Sequence, residues 1–174
     1  MTTYTNTDFI TFPVSSGNGR ANIYPSNLIV AGAPTTISQI TVSLNDVNQT
    51  FSEDIAVMLE SPSGNTLPLM FYNGGAAVIV NVDLTFDDNA PTTLPTPIVS
   101  GTYKVTPPTT VPSLPLPDFL GAPLTQQPII YSNLLTKAFT GPGKNPNGTW
   151  KLWVVDTFPP ADNGSIDGWS ITIS

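Results

Sequence analysis

The chain has 174 residues, no cysteine, no histidine, nineteen prolines, thirteen glycines and a formal net charge of −7. This excludes disulfides, thiolate and His-ligated metal sites, and Ser-His-Asp or Cys-His catalysis. The five basic residues, Arg20, Lys104, Lys137, Lys144 and Lys151, are scattered and form no phosphate-binding stripe, so nucleic acid is not an expected partner.

Length predicts one domain over residues 1–174, large enough to bury roughly 70 % of its unfolded surface without staples. Prolines and glycines break every helical stretch, while Val, Ile and Thr fill the runs between them, which predicts an all-β fold. No apolar run approaches about 18 residues, so no membrane-spanning helix is expected. The opening MTTYTNTDFITF lacks the basic-then-apolar pattern of a secretory signal. Either a signal has been replaced by a start methionine, or the protein is used without secretion by that route.

In chain order, Phe9 to Val14 predicts an edge strand, Leu28 to Ala31 a short strand and Ile37 to Leu44 a longer one. A polar connection is expected over Asp46 to Asp54. Ile55 to Glu60 alternates apolar residues on both faces, as a strand covered on both sides does. SPSGNT (61–66) is turn chemistry, joining it to Leu67–Tyr72 as an antiparallel hairpin. Val78 to Phe86 alternates cleanly, predicting Val78, Val80, Val82, Leu84 and Phe86 on the core face. Residues 91–128 carry ten prolines and one strand fragment, Gly101 to Val105. An excursion that long suggests function, and Leu114, Leu116, Phe119, Leu120 and Leu124 are its candidate apolar anchors. Ile129 to Phe139 reads as extended with one helical turn. The chain closes on two strands, Trp150–Val155 and Trp169–Ile173, that hold all three tryptophans.

Three motifs together resemble the P domain, or homo B domain, of kexin-like and furin-like proprotein convertases, and bacterial stand-alone versions of it. They are EDIAVMLESPSGNT (53–66), DLTFDD (83–88), and NGTWKLWVVD followed by NGSIDGWSITI, with YPS at Tyr24–Ser26 opening the region of likeness, residues 24–174. The resemblance implies a jelly-roll β-sandwich of about eight antiparallel strands with a long proline-rich loop. It also implies a module that is not itself an enzyme. In the convertases that module stabilises and tunes a serine protease domain.

Two carboxylates suffice for glycoside hydrolysis, but none of the two Glu and ten Asp sits in an obvious general-acid environment. Aspartates at strand ends invite calcium, an oxygen-seeking cation: Asp54 precedes a strand, Asp87 and Asp88 end one, and Asp156 ends another. Calcium is the one cofactor these residues invite, and the resemblance strengthens it. Against it, Asp is an ordinary turn and strand-end residue; Asp46, Asp162 and Asp167 lie in turns, and no DxDxDG loop is present. Trp150 and Trp169 share a face with aliphatics and read as core, leaving Trp153 as the candidate for stacking on a sugar. Asn48, Asn147 and Asn163 match the N-glycosylation pattern, although the Asn-Gly pairs at 147 and 163 are explained as turns.

The expected function is that of a non-catalytic structural or interaction module with protein partners in a larger assembly, a second copy of the chain among them. A virion decoration or cement protein is one setting and an extracellular surface or fibre component the other, placing the protein on a virion or outside the cell. The alternatives are a detached stabilising domain of a secreted subtilisin-like protease and a calcium-dependent or carbohydrate-binding adhesion module.

Overall fold

The computed structural model describes residues 1–13, 19–106, 132–159 and 162–174. Within them lie β1 (Thr2–Phe12), β2 (Ser26–Val30), β3 (Ile40–Gln49), β4 (Ile55–Glu60), β5 (Thr66–Phe71), β6 (Ile79–Asp87), β7 (Gly101–Tyr103), α1 (Leu135–Phe139), β8 (Gly148–Asp156) and β9 (Gly164–Ile173). A five-stranded sheet runs β1-β9-β3-β6-β7 and a four-stranded one β2-β8-β4-β5. The antiparallel pairings β1–β9, β2–β8, β3–β6 and β4–β5 are those of a long hairpin wrapped into two sheets, the jelly roll. The expected eight strands are present, and β7 is a ninth, added at the sheet edge parallel to β6.

Alternation along the strands sends one side chain in two into the space between the sheets. Ile55, Val57 and Leu59 of β4 meet Trp150, Leu152 and Val154 of β8 and Val42, Leu44, Trp169 and Ile171 of the facing sheet in one cluster. The outward residues of β4 and β8 are buried too: Ala56, Met58, Trp153 and Val155, with Phe71 of β5, form a second cluster against Tyr24. β4 is therefore covered on both faces, as its sequence predicts.

The five-stranded sheet is bent along a line crossing four strands. β1 carries an extra residue between Asn6 and Phe9, and β3 carries one between Leu44 and Val47. Asp46 there has a positive φ of 45°. On β6 the extra residue falls between Val82 and Ile79, with Asn81 at φ 52°. These are β-bulges, which increase local twist and re-aim side chains. On β9 the same level is occupied by Gly168 at φ 85°, where a Cβ would sit 2.6 Å from the Asn6 carbonyl oxygen. Side chains replace ladder bonds at the bend: the Asp46 amide donates to Asp83 Oδ1 and the Asn81 amide to Asn48 Oδ1, both at 2.9 Å.

The bulges correct the expected strand phases. β3 continues through the predicted polar connection to Gln49, because the extra residue at Asp46 returns Val47 to the core. On β6 the Asn81 bulge flips the phase, so Ile79 is buried while Val78 and Val80 are 65 % and 64 % exposed. Val82, Leu84 and Phe86 keep their expected core positions. Of the proline-rich excursion, residues 107–128 and all five of its candidate apolar anchors lie outside the described residues.

Candidate functional site

At one end of the sandwich β3 leads into a 3-10 turn, Ser52–Asp54, beside the connection from β8 to β9. Asp156, the last residue of β8, is buried; its Oδ2 accepts from Gln49 Nε2 at 3.1 Å and its Oδ1 from the Phe158 amide at 2.8 Å. Asp162 Oδ1 accepts from the Thr50 hydroxyl at 3.0 Å. Asp54 lies between them, its pKa pushed up from 3.8 to about 6. Burial is the largest cause, followed by a hydrogen bond shared with Asp162 and repulsion from Asp156, Asp162 and Glu53. Asp54 therefore keeps its proton into mildly acidic solution.

A pH dependence follows. The folded state holds a proton on Asp54 that the unfolded chain releases near pH 3.8, so between about pH 4 and 6 folding binds more protons than unfolding. Stability attributable to this group is greatest at the acidic end of that window and falls as pH rises through about 6. Urea titrations of Asp54→Asn at pH 4.5 and 7 are expected to show a smaller loss of stability with rising pH than the wild-type chain. An identical loss would refute the raised pKa of Asp54.

Beside this group, on the outer face of the five-stranded sheet, lies a cleft of about 400 Å³. It is lined by Thr11 and Phe12 of β1, Pro13, Asn48 and Gln49 of β3, Thr50, Val78, Ile79 and Val80 around the start of β6, and Asn163, Gly164 and Ser165 at the start of β9. Thr11 pairs with Ser165, and Ser165 with Asn48, so the floor runs across adjacent strands. Gly164 permits the close approach, since a Cβ there would lie 2.5 Å from the Asn48 carbonyl oxygen and from the Phe12 ring. No lining residue carries a charge. Beyond the bend the same face is hydroxylic, with Thr3 bonded to Thr172 at 2.8 Å and Ser43 to Thr85 at 2.9 Å.

The four candidate calcium ligands divide between two places. Asp54 and Asp156 come together, joined by Asp162, which the strand-end argument left among the turn residues. Asp87 Oδ1 instead accepts from the Asn89 amide at 2.9 Å. Asp88 accepts from the amides of Leu135 and Thr136 and from the Thr136 hydroxyl, capping α1. Among the described residues no group of three or more Asp and Glu is arranged to hold a metal ion.

Trp150 and Trp169 are fully buried, as expected. Trp153 is only 5 % exposed, which corrects its candidacy as a sugar platform. Tyr24 packs edge-on against it at 4.9 Å, and its Nε1 donates to Glu60 Oε2 at 3.0 Å. The other Glu60 oxygen holds Lys151 Nζ at 2.8 Å, so a charge buried on the sheet is paired. Of the asparagines matching the glycosylation pattern, Asn48 and Asn147 spend their amides on backbone carbonyls, of Asp46 and Ala33.

Fold and surface together define a jelly-roll β-sandwich with a neutral cleft at one end of its larger sheet. The sequence matches no family profile and no curated protein. Among solved structures, the Aeromonas sobria serine protease in complex with the chaperone matches at 13 % identity and a TM-score of 0.44, covering 99 % of this chain and 27 % of that one. The serine protease of Aeromonas sobria matches at 13 % identity and 0.41, with the same coverages. The chain thus spans about a quarter of the length of the proteins it matches. No helix among the described residues is long and apolar enough to cross a membrane.

Proposed function

We propose that the protein is a non-catalytic module that works through the outer face of its five-stranded sheet, as an interaction part of a larger assembly. The observation that carries this reading is the pair Val78 and Val80, turned out of the core by the Asn81 bulge onto the rim of an uncharged cleft. Isolated exposed apolar residues need no explanation, but here a bulge at Asn81, with positive φ, holds two of them at a concave surface. A rigid sandwich presenting such a surface suits a virion decoration or cement protein, or a component of an extracellular surface or fibre. Size-exclusion with light scattering, followed by a search for the protein in purified particles, tests it. A protein found only as a free monomer, associated with nothing, overturns it.

A second reading is favoured by the placement of the P-domain-like motifs. Residues 53–66 form β4 and the turn into β5, 83–88 the end of β6, and the two tryptophan motifs β8 and β9, all at paired positions in the jelly roll. This supports a stabilising domain of a subtilisin-like protease. A catalytic domain encoded in the same reading frame would establish it, and a frame without one would remove it.

Calcium belongs to the proposal as well, at Asp54 and Asp156, the two of the four strand-end candidates that come together, with backbone carbonyls and water supplying the remaining oxygens. The expected result is a melting temperature raised by millimolar calcium and lowered by EDTA. No shift across pH 6 to 8 would exclude it.

A further inference from the structure

We propose that the cleft at the end of the five-stranded sheet binds a neutral saccharide, and that the partner in the assembly is recognised through such a glycan. The inference rests on the interaction reading above and gives its surface a ligand class.

Size comes first. About 400 Å³ falls in the range of small-ligand pockets, roughly 300–1,000 Å³. A globular protein partner needs a total buried area of about 1,000 Å² or more, so this cleft suits a small group or a chain end.

Charge comes second. The chain carries a net −7, yet the twelve lining residues supply amides, hydroxyls and aliphatic carbon and no ionised group. An anionic ligand would meet the field of the whole protein, and a cationic one would find its nearest counter-charge at Asp162, which accepts from the Thr50 hydroxyl just outside the lining, with Asp54, Asp156 and Glu53 also outside it. A neutral ligand is the complement.

Hydrogen-bonding capacity comes third. Asn163 is fixed through its backbone, whose amide donates to the Thr50 hydroxyl at 3.1 Å and whose carbonyl accepts from the Thr50 amide at 3.1 Å. Its side chain is left at the surface with two donors and an acceptor. The Ser165 hydroxyl accepts weakly from Asn48 at 3.4 Å and keeps its own proton to give. Thr11 adds a third hydroxyl or amide group, and Pro13, Val78 and Val80 supply an apolar ledge. An apolar ledge edged by donors and acceptors matches a pyranose ring, which has a C–H face and a hydroxyl rim.

An extended neutral peptide would be the competing occupant. Peptides added to sheets pair with an exposed strand edge. The cleft floor instead lies across β1, β9 and β3, whose backbones are paired with each other at Thr11–Ser165 and Asn48–Ser165. No aromatic ring faces the ligand for stacking, since Phe12 is 1 % exposed. The expected Kd is accordingly weak, on the order of a millimolar.

The test is a two-dimensional 1H–15N NMR titration of the full chain with maltohexaose, cellohexaose, chitohexaose and a galactose tetramer. At least one of these is expected to give saturable shifts confined to Thr11, Val78 to Val80 and Asn163 to Ser165. Asn163→Ala is expected to weaken that binding about fivefold, the worth of one hydrogen bond. Val80→Asp is expected to abolish it in a chain whose remaining spectrum is unchanged. No saturable shift from any of the four, shifts spread away from the cleft, or undiminished binding by Asn163→Ala overturns the proposal. Saccharide silence in a protein still found in purified particles overturns the ligand alone, whereas saccharide binding by a protein found in no particle overturns the assembly reading alone.

Discussion

Replacing Trp169 by alanine is expected to cost about 3–5 kcal/mol of stability and to lower Tm by roughly 10 °C or more. The indole is fully buried on β9, in the five-stranded sheet. Its Nε1 reaches across the core to donate to the Ser26 hydroxyl, 2.9 Å away on β2 of the other sheet. Ser26 is itself 0 % exposed. Truncation thus opens a large cavity between the sheets and strips a buried hydroxyl of its partner, two penalties that add. Trp169→Phe keeps most of the ring volume but loses the donor, and should cost distinctly less. Urea denaturation of the two variants separates the terms. Equal losses would show that the inter-sheet bond, rather than packing, carries the effect, and a loss under 1 kcal/mol for alanine would contradict the core assignment.

Asp88→Ala is the second large effect, about 2–3 kcal/mol. α1 is five residues long, too short to stand without tertiary support, and Leu134 at its N-cap position supplies no side-chain cap. Asp88 does this work from the end of β6: both oxygens accept from the first turn, at Leu135, at the Thr136 amide (3.0 Å) and at the Thr136 hydroxyl. Its negative charge also faces the positive end of the helix. The helix it fixes carries Leu135, Ala138 and Phe139 into the core, where Phe139 meets Trp150 edge-on at 5.1 Å. Losing the cap therefore loosens part of the core as well. Asp88→Asn retains an acceptor and should recover about half the loss. Denaturation midpoints for the three chains test this, and an alanine variant as stable as wild type would show that the helix needs no cap.

The β4–β5 hairpin, the closing strands and their buried tryptophans were legible in the sequence because each rests on a local signal: alternation, a Pro-Gly turn, an apolar face. β1 was only partly legible. Its first residues are polar on both faces because the strand lies at a sheet edge, and pairing with β9 rather than burial makes them a strand. The phase of β6 misled for a different reason. Five apolar residues at period two promised one face, but Asn81, a residue that tolerates positive φ, takes up an extra position and hands the core to Ile79. An asparagine interrupting an apolar alternation was the available signal.

Long-range partnerships were the least visible part. Nothing local to Asp88 foretells a helix 47 positions later, and nothing local to Asp54 names Asp162. Both aspartates look alike as strand-end residues, yet one caps a helix and the other has its pKa raised by burial. Trp153 had the outward phase expected of it. That the outer face of β8 is covered depends on Tyr24, from a distant turn. The cleft is the product of bulges on neighbouring strands that no single stretch encodes.

The central claim is that the face bearing Val78 and Val80 joins the protein to an assembly. The most direct measurement compares the wild-type chain with Val78→Asp/Val80→Asp in particles purified from the producing cells, with light scattering on the unbound fraction. Both side chains are about two-thirds exposed, so the substitutions should leave folding intact. Wild type is expected in the particles and the folded double variant as a free monomer. Equal amounts of both in the particles, or both chains free and associated with nothing, would contradict it.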